Sequence, residues 1–173
     1  EILELEQNML KTVDVSKNKR LKELTIHVNE LSDLDLSMLS NLHLITLSDN
    51  NISEELMGKI VSKIPQCKEF NEDEEEEKAD LWGHCYVVNT PSPTSNVCNT
   101  LQVAELREKG WTPYDVNGGE PQGFMVKGVE YNGSAPTGIC TLIHEDEVKI
   151  VQTATRVQIQ GLNANTHVYL FNT

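Results

Sequence analysis

The apolar positions of residues 1–52 follow no single helical or strand period. In "LKELTIHVNEL" (21–31) and "LHLITLSDNNI" (42–52), apolar residues fall three and then two apart, an asparagine follows, and another apolar residue closes the phrase. A helix would repeat at 3.6 and a half-buried strand at 2.0, so neither accounts for the spacing. The phrase itself repeats, at an offset of 21 residues. Leu3, Leu24 and Ile45 coincide, as do Leu5, Ile26 and Leu47, then Asn8, Asn29 and Asn50, then Leu10, Leu31 and Ile52. Leu21 and Leu42 open the second and third copies, whereas "EILELEQNML" has no opening leucine. Between copies "VDVS" (13–16) and "LDLS" (34–37) also recur in register.

Each apolar–x–apolar core predicts a short strand with both apolar residues turned inward. The asparagine marks the exit turn, where a side-chain amide can bond backbone groups the turn leaves unpaired. "VDVS" and "LDLS" then carry the chain back, with Val13, Val15, Leu34 and Leu36 inward. A single copy cannot bury its own apolar face, so the copies must stack, strand beside parallel strand.

After Ile52 the pattern changes. "SEELMGKIVSKIP" (53–65) predicts a helix capped by Ser53, with Glu54 and Glu55 in the first turn, Leu56, Ile60, Val61 and Ile64 on the apolar face, and Pro65 as the stop. "GHCYVVNT" (83–90) predicts a strand with Cys85 and Val87 inward. "NVCNTLQVAELREKG" (96–110) predicts a second helix, capped by Asn99 or Thr100 and ended by Gly110, and "WTPYDV" (111–116) a last short strand. The unit 53–118 is a candidate for the atypical closing unit that an open stack of repeats requires.

The phrase LxxLxLxxNxL is the leucine-rich-repeat signature. It implies an α/β solenoid: a right-handed coil with short parallel strands on the concave face and helices or extended segments on the convex face. The coils, the helix "SEELMGKIVSKIP" and the stretch "NVCNTLQVAELREKGWTPYDVNGG" together resemble secreted or surface-anchored leucine-rich-repeat proteins of anaerobic gut and oral bacteria, over about residues 1–119. The resemblance implies export to the medium or the cell surface and a ligand-binding or adhesive role without catalysis.

The expected organisation is a repeat domain with capping helices over 1–118, a Gly- and Pro-rich linker over 119–138, and a short β-rich segment over 139–173. In that last segment "CTLIH", "EVKIVQ", "RVQIQGL" and "THVYLFN" predict four strands of a small antiparallel piece, similar to the start of a sorting or anchoring β-domain. The opening "EILELEQN" starts in mid-pattern, as an excised piece of a longer precursor would.

Charge narrows the partners. The formal net charge is −13 and the pI about 4.7. Nucleic acid would be repelled, because that affinity comes mostly from Lys and Arg on phosphates, and no stretch approaches the roughly 20 apolar residues that membrane insertion requires. The acidic run from Glu72 to Glu77 is most simply a solvated loop, with a cation site as the alternative. Cys67, Cys85, Cys98 and Cys140 form no CxxC, and are expected as free buried thiols, with one bridge between Cys67 and Cys85 or between Cys85 and Cys98 as the alternative. No catalytic motif and no zinc spacing is present, so neither catalytic nor metal-ligating residues, nor any cofactor, are assigned.

Candidate recognition residues are those between and just after the inward leucines, which project from adjacent strands about 4.8 Å apart. They are Glu4, Glu6, Thr25, His27, Thr46, Ser48 and, at the next strand, Tyr86. His27 and His43 are expected at the surface. The function expected is binding of a protein or cell-surface ligand through this concave face. The alternative is a structural spacer or anchor for surface display with no ligand of its own.

Overall fold

A computed structural model describes residues 1–69, 82–119 and 128–137, together with the backbone of 149–153 and 156–160. The repeat offset is written directly into strand pairing. β1 (Ile2–Glu4), β2 (Glu23–Thr25) and β3 (Leu44–Thr46) pair in parallel, with Leu3 beside Leu24 and Leu24 beside Ile45. β4 (His84–Val88) extends the row by placing Cys85 beside Ile45, and β5 (Thr112–Asp115) places Pro113 beside Cys85. β6 (Val129–Glu130) closes the sheet antiparallel to β5. It lies within the stretch expected to be linker.

The asparagines hold these pairings where the strands end. Asn29 Nδ2 donates to Leu5 O (2.9 Å), Ile26 O (3.1 Å) and His27 O (3.3 Å), while its Oδ1 accepts from Leu10 N (3.0 Å). Asn50 repeats the set one strand on, donating to Ile26 O (3.0 Å), Leu47 O (2.8 Å) and Ser48 O (3.3 Å) and accepting from Leu31 N (3.4 Å). Each amide therefore ties two neighbouring strands and the chain leaving the turn, which satisfies backbone groups that burial would otherwise leave unpaired. The residue before each repeat asparagine is left-handed: φ is 55° at Gln7, 55° at Val28 and 58° at Asp49. On the return path Asp14 and Asp35 each accept from the backbone N–H two residues on, at Ser16 and Ser37, both at 3.0 Å.

α1 (Glu54–Lys63) starts at Ser53, whose hydroxyl accepts from Leu56 N (3.3 Å). Its buried face is Met57, Ile60 and Val61, continued by Ile64; Leu56 is only partly buried, so Met57 takes the place expected for it. α2 (Thr100–Glu108) is capped by Asn99 rather than Thr100, through a reciprocal box in which Asn99 Oδ1 accepts from Gln102 N and Gln102 Oε1 accepts from Asn99 N, both at 2.9 Å. Gln102 Nε2 reaches Glu54 O (2.7 Å) and Lys109 Nζ reaches Val61 O (2.6 Å), so the second helix ties both ends of the first. Gly110, at φ 80°, supplies the left-handed step after α2; a Cβ there would lie 3.3 Å from Cys67 O.

One core joins these elements. Leu24, Ile26, Ile45, Leu47, Cys85 and Val87 of the sheet pack with Val15, Leu34, Leu36 and Leu39 of the return segments, the buried faces of α1 and α2, and Trp111. Full burial of such a side chain stabilises by about 1.5–3 kcal/mol, so the stacked copies support one another. Trp111 is also anchored by Nε1 donating to Pro65 O (2.8 Å). The described residues form an α/β fold: a six-stranded mixed sheet, parallel except for β6, with two helices.

The chain divides into Glu1–Ala135, which holds all of this, and Pro136–Thr173. In the second unit β7 (Lys149–Thr153) and β8 (Arg156–Gln160) form an antiparallel pair with Ile150 beside Ile159. They match the expected "EVKIVQ" and "RVQIQGL" strands. The expected strands "CTLIH" and "THVYLFN", the acidic run 72–77 and Cys140 lie outside the described residues.

Candidate functional site

The two faces of the sheet differ in chemistry because successive side chains alternate sides. The apolar alternates fill the main core. The others form a ladder on the opposite face, where pairing sets Glu4 beside Thr25, Thr25 beside Thr46, Thr46 beside Tyr86 and Tyr86 beside Tyr114. Backbone bonds continue past the strands, from Leu5 N to Thr25 O (2.7 Å) and Gln7 N to His27 O (3.1 Å), which aligns Glu6 with His27. The seven residues expected from sequence thus come together on one face.

Their accessibility is uneven. Glu4 is exposed and Glu6 partly so, but Thr25 (7%), His27 (2%), Thr46 (1%), Ser48 (0%) and Tyr86 (3%) are buried. His27 and His43 were expected at the surface, and both are buried. His27 Nδ1 shares a hydrogen bond with Thr46 Oγ1 (3.2 Å). His43 stacks on Trp82, ring centres 3.8 Å apart and planes 11° from parallel, with Nε2 3.7 Å from Glu23 Oε1. Both rings therefore serve packing as well as polarity.

The β4–β5 end of this face is aromatic. Tyr86 and Tyr114 stack at 5.4 Å, and His84 lies 4.4 Å from Tyr114, with its Nε2 3.3 Å from the Tyr114 hydroxyl. Leu44 and Val116 pack with the two tyrosines. Burial, then the nearby Tyr114, pushes the Tyr86 phenol up to about 12, and burial, then Glu130, also raises Tyr114. Both phenols therefore stay neutral at ordinary pH. Tyr114 was not singled out in the sequence, since "WTPYDV" carries no repeat asparagine to fix its register.

Besides the β1 edge, the face is accessible at the strand exits. Gln7, His27, Val28, Asp49, Asn89, Ser92, Thr94 and Gly119 line a hollow of about 230 Å³. Asp49 is buried at its wall: Asn89 Nδ2 donates to Oδ2 (2.9 Å) and Thr94 Oγ1 to Oδ1 (3.4 Å). The loop bearing these groups is fixed in turn. Asn89 N donates to Ser95 Oγ (3.1 Å), Gly118 N to Asn89 Oδ1 (2.8 Å), and Asn51 N to Thr94 O (2.9 Å). Of this lining only His27 was among the expected residues. The signal for Asp49 was its place at the turn position shared with Gln7 and Val28.

The three described cysteines lie in the core. Cys67, Cys85 and Cys98 are free and buried, as expected, and neither alternative bridge among them is formed. Burial pushes Cys67 up to about 11 and Cys98 up to about 12, and raises Cys85 well above an ordinary thiol. Such thiols are poor nucleophiles and poor metal ligands, because both roles use the thiolate. No group of three or more His, Cys, Asp or Glu among the described residues is placed to hold a metal ion. Among the same residues no helix is long and apolar enough to cross a membrane. Comparison with protein-family models, with curated proteins and with solved structures found no match to this chain.

Proposed function

We propose that residues 1–118 are a leucine-rich-repeat solenoid that binds a protein or cell-surface ligand without catalysis, as part of an exported bacterial protein. The observation that supports this best is the asparagine ladder joined to parallel pairing at a 21-residue offset. A stack built this way presents one side chain per strand at regular spacing on its concave face, a geometry suited to extended recognition.

The burial of Thr25, Thr46, Ser48 and Tyr86 narrows where contact occurs. Ligand contact falls on Glu4 and Glu6 at the β1 edge and on the strand-exit residues Gln7, Val28, Ser92 and Thr94, with the buried polar ladder holding the face in shape. A partner with cationic or neutral polar groups suits an acidic chain better than an anionic one.

The test is binding of the labelled protein to bacterial and host cell surfaces with a bulky block on each side. Ser92→Trp is expected to lower binding at least tenfold, and Lys17→Trp on the return segment to leave it unchanged. Equal binding by both variants and the unmodified chain contradicts this reading.

A further inference from the structure

We propose that the strand-exit hollow is a binding site for a neutral, hydroxyl-rich ligand the size of one sugar ring. The reasoning begins with what the lining excludes. Among the described residues it contains no Lys or Arg, and its wall holds the buried carboxylate of Asp49, so phosphate, sulfate and carboxylate ligands would meet repulsion. Among the described residues it contains no second carboxylate, and both Asp49 oxygens already accept hydrogen bonds, from Asn89 and Thr94. A metal ion would therefore find a single carboxylate, with both of its oxygens already engaged by neutral donors. An apolar ligand would strip water from Gln7, Asn89, Ser92 and Thr94 without replacing their bonds.

A polyol fits what remains. Ser92 and Thr94 carry hydroxyls that both donate and accept, and bond each other at 3.0 Å. The Asp49 oxygens keep further lone pairs for ligand hydroxyls. The Gln7 amide is exposed at the rim. Val28 adds a small apolar surface (41% exposed), which suits the C–H face of a sugar ring. The hollow, about 230 Å³, is below the ~300–1,000 Å³ usual for drug-sized ligands. It suits a single ring better than a chain lying along it.

The positions are set before any ligand arrives. Asp49 and Val28 are held at left-handed turn positions, and the 89–95 loop is tied to residues 49, 51 and 118 by hydrogen bonds. A rigid site loses less entropy on binding. Val28 is a β-branched residue with φ 55°, a conformation such residues rarely adopt, and its backbone bonds to Ser48 O and Asn8 N, both 3.1 Å, hold it there against that strain.

This inference does not depend on macromolecular binding by the rest of the face. The experiment is a ¹⁵N–¹H titration with glucose, galactose, mannose and N-acetylglucosamine, with inorganic phosphate and methylammonium as opposing probes. Oligosaccharides ending in the same sugars separate a glycan terminus from a free monosaccharide as the source. At least one neutral sugar is expected to bind in the millimolar range, with shifts concentrated at Gln7, Val28, Asp49 and 89–94. Thr94→Val and Ser92→Ala, both in a surface loop and checked for unchanged spectra elsewhere, are expected to weaken that binding at least fivefold. The proposal is overturned if no neutral sugar shifts these amides, if shifts lie elsewhere, if phosphate or methylammonium is bound instead, or if both variants bind as the unmodified chain does. Surface binding lost in Ser92→Trp with no sugar response overturns this proposal alone; a sugar response without surface binding overturns the interaction-module reading alone.

Discussion

Asn50 and Asn96 stand 46 residues apart in sequence, yet the Asn50 backbone N–H donates to Asn96 Oδ1 at 3.0 Å. Asn96 repeats, one strand on, what Asn50 and Asn29 do. Its Nδ2 donates to Leu47 O (2.7 Å) and Val87 O (2.8 Å), and its Oδ1 also accepts from Ile52 N (3.0 Å). The ladder therefore continues past the point where the 21-residue spacing ends.

Removing Asn96 should accordingly be expensive. Asn96→Ala leaves the Asn50 and Ile52 N–H groups and the Val87 carbonyl without these bonds, while Leu47 O keeps the one from Asn50 Nδ2, and each buried unpaired group costs about 1–3 kcal/mol. Allowing for relaxation and water entry, a loss of about 3 kcal/mol is expected in urea denaturation. Asn8→Ala should cost under about 1 kcal/mol, because its bonds to Leu5 O and Glu6 O are solvent-exposed. Equal losses at the two positions would contradict a ladder whose strength follows burial.

Val28 offers the opposite sign. A β-branched side chain at φ 55° is strained, whereas asparagine tolerates this region, and Val28 is 41% exposed and gives up little packing. Val28→Asn should raise stability by about 1 kcal/mol. The same change at exposed Val129, in β6, should not. Thermal denaturation of the two variants is the comparison.

Alkaline pH should destabilise the fold in a defined window. Burial pushes Cys98 and Tyr86 each up to about 12, and Cys67 up to about 11. These groups are neutral when protonated, and the folded chain holds that proton more tightly than the unfolded one. Their contribution is thus complete below the unfolded values, about 8.5 for a thiol and 10 for a phenol, and is lost as pH rises towards 11–12. Denaturation midpoints should be steady between about pH 7 and 8 and fall above about 9, with a smaller fall in Cys98→Ala. In a Cys140→Ser background, a thiol reagent at about pH 8 should react with the native protein far more slowly than with the unfolded one.

The sequence disclosed the fold wherever one copy could be compared with another. Leu24, Ile26, Asn29 and their counterparts do the same physical work in each copy, so the strands, the parallel order and the exit bonds were all legible. Asn96 was not, because six residues enter between strand and asparagine. Cys85 and Val87 match Leu24 and Ile26, and the matching asparagine is expected at position 90 but stands at 96. The local phrase survives: Asn96-Val97-Cys98 follows Asn29-Glu30-Leu31 and Asn50-Asn51-Ile52, with Cys98 in the buried leucine position. The six inserted residues supply Ser92 and Thr94 to the hollow, so the departure from the repeat and the candidate site coincide.

Alternation along a strand showed which residues share the ladder face, but not how deeply each is buried. Glu4 and Thr46 hold equivalent repeat positions, yet Glu4 is exposed on the edge strand and Thr46 is enclosed between β2 and β4. Burial depends on neighbours in the stack, which a single copy of the phrase does not encode. The same is true of β6, whose pairing depends on the chain returning to β5 from a Gly- and Pro-rich stretch.

The central claim, recognition through the ladder face and its strand exits, is tested most directly by mapping contacts with a photo-cross-linking residue at single positions. Glu4, Gln7 and Ser92 sample that face and its edge; Lys17 and Lys59 sample the return segment and α1. With the protein bound to the cell surface, the first three should give the same cross-linked product and the last two none. Cross-links from Lys17 and Lys59 with none from Glu4, Gln7 and Ser92 would place recognition on the opposite side and contradict the account.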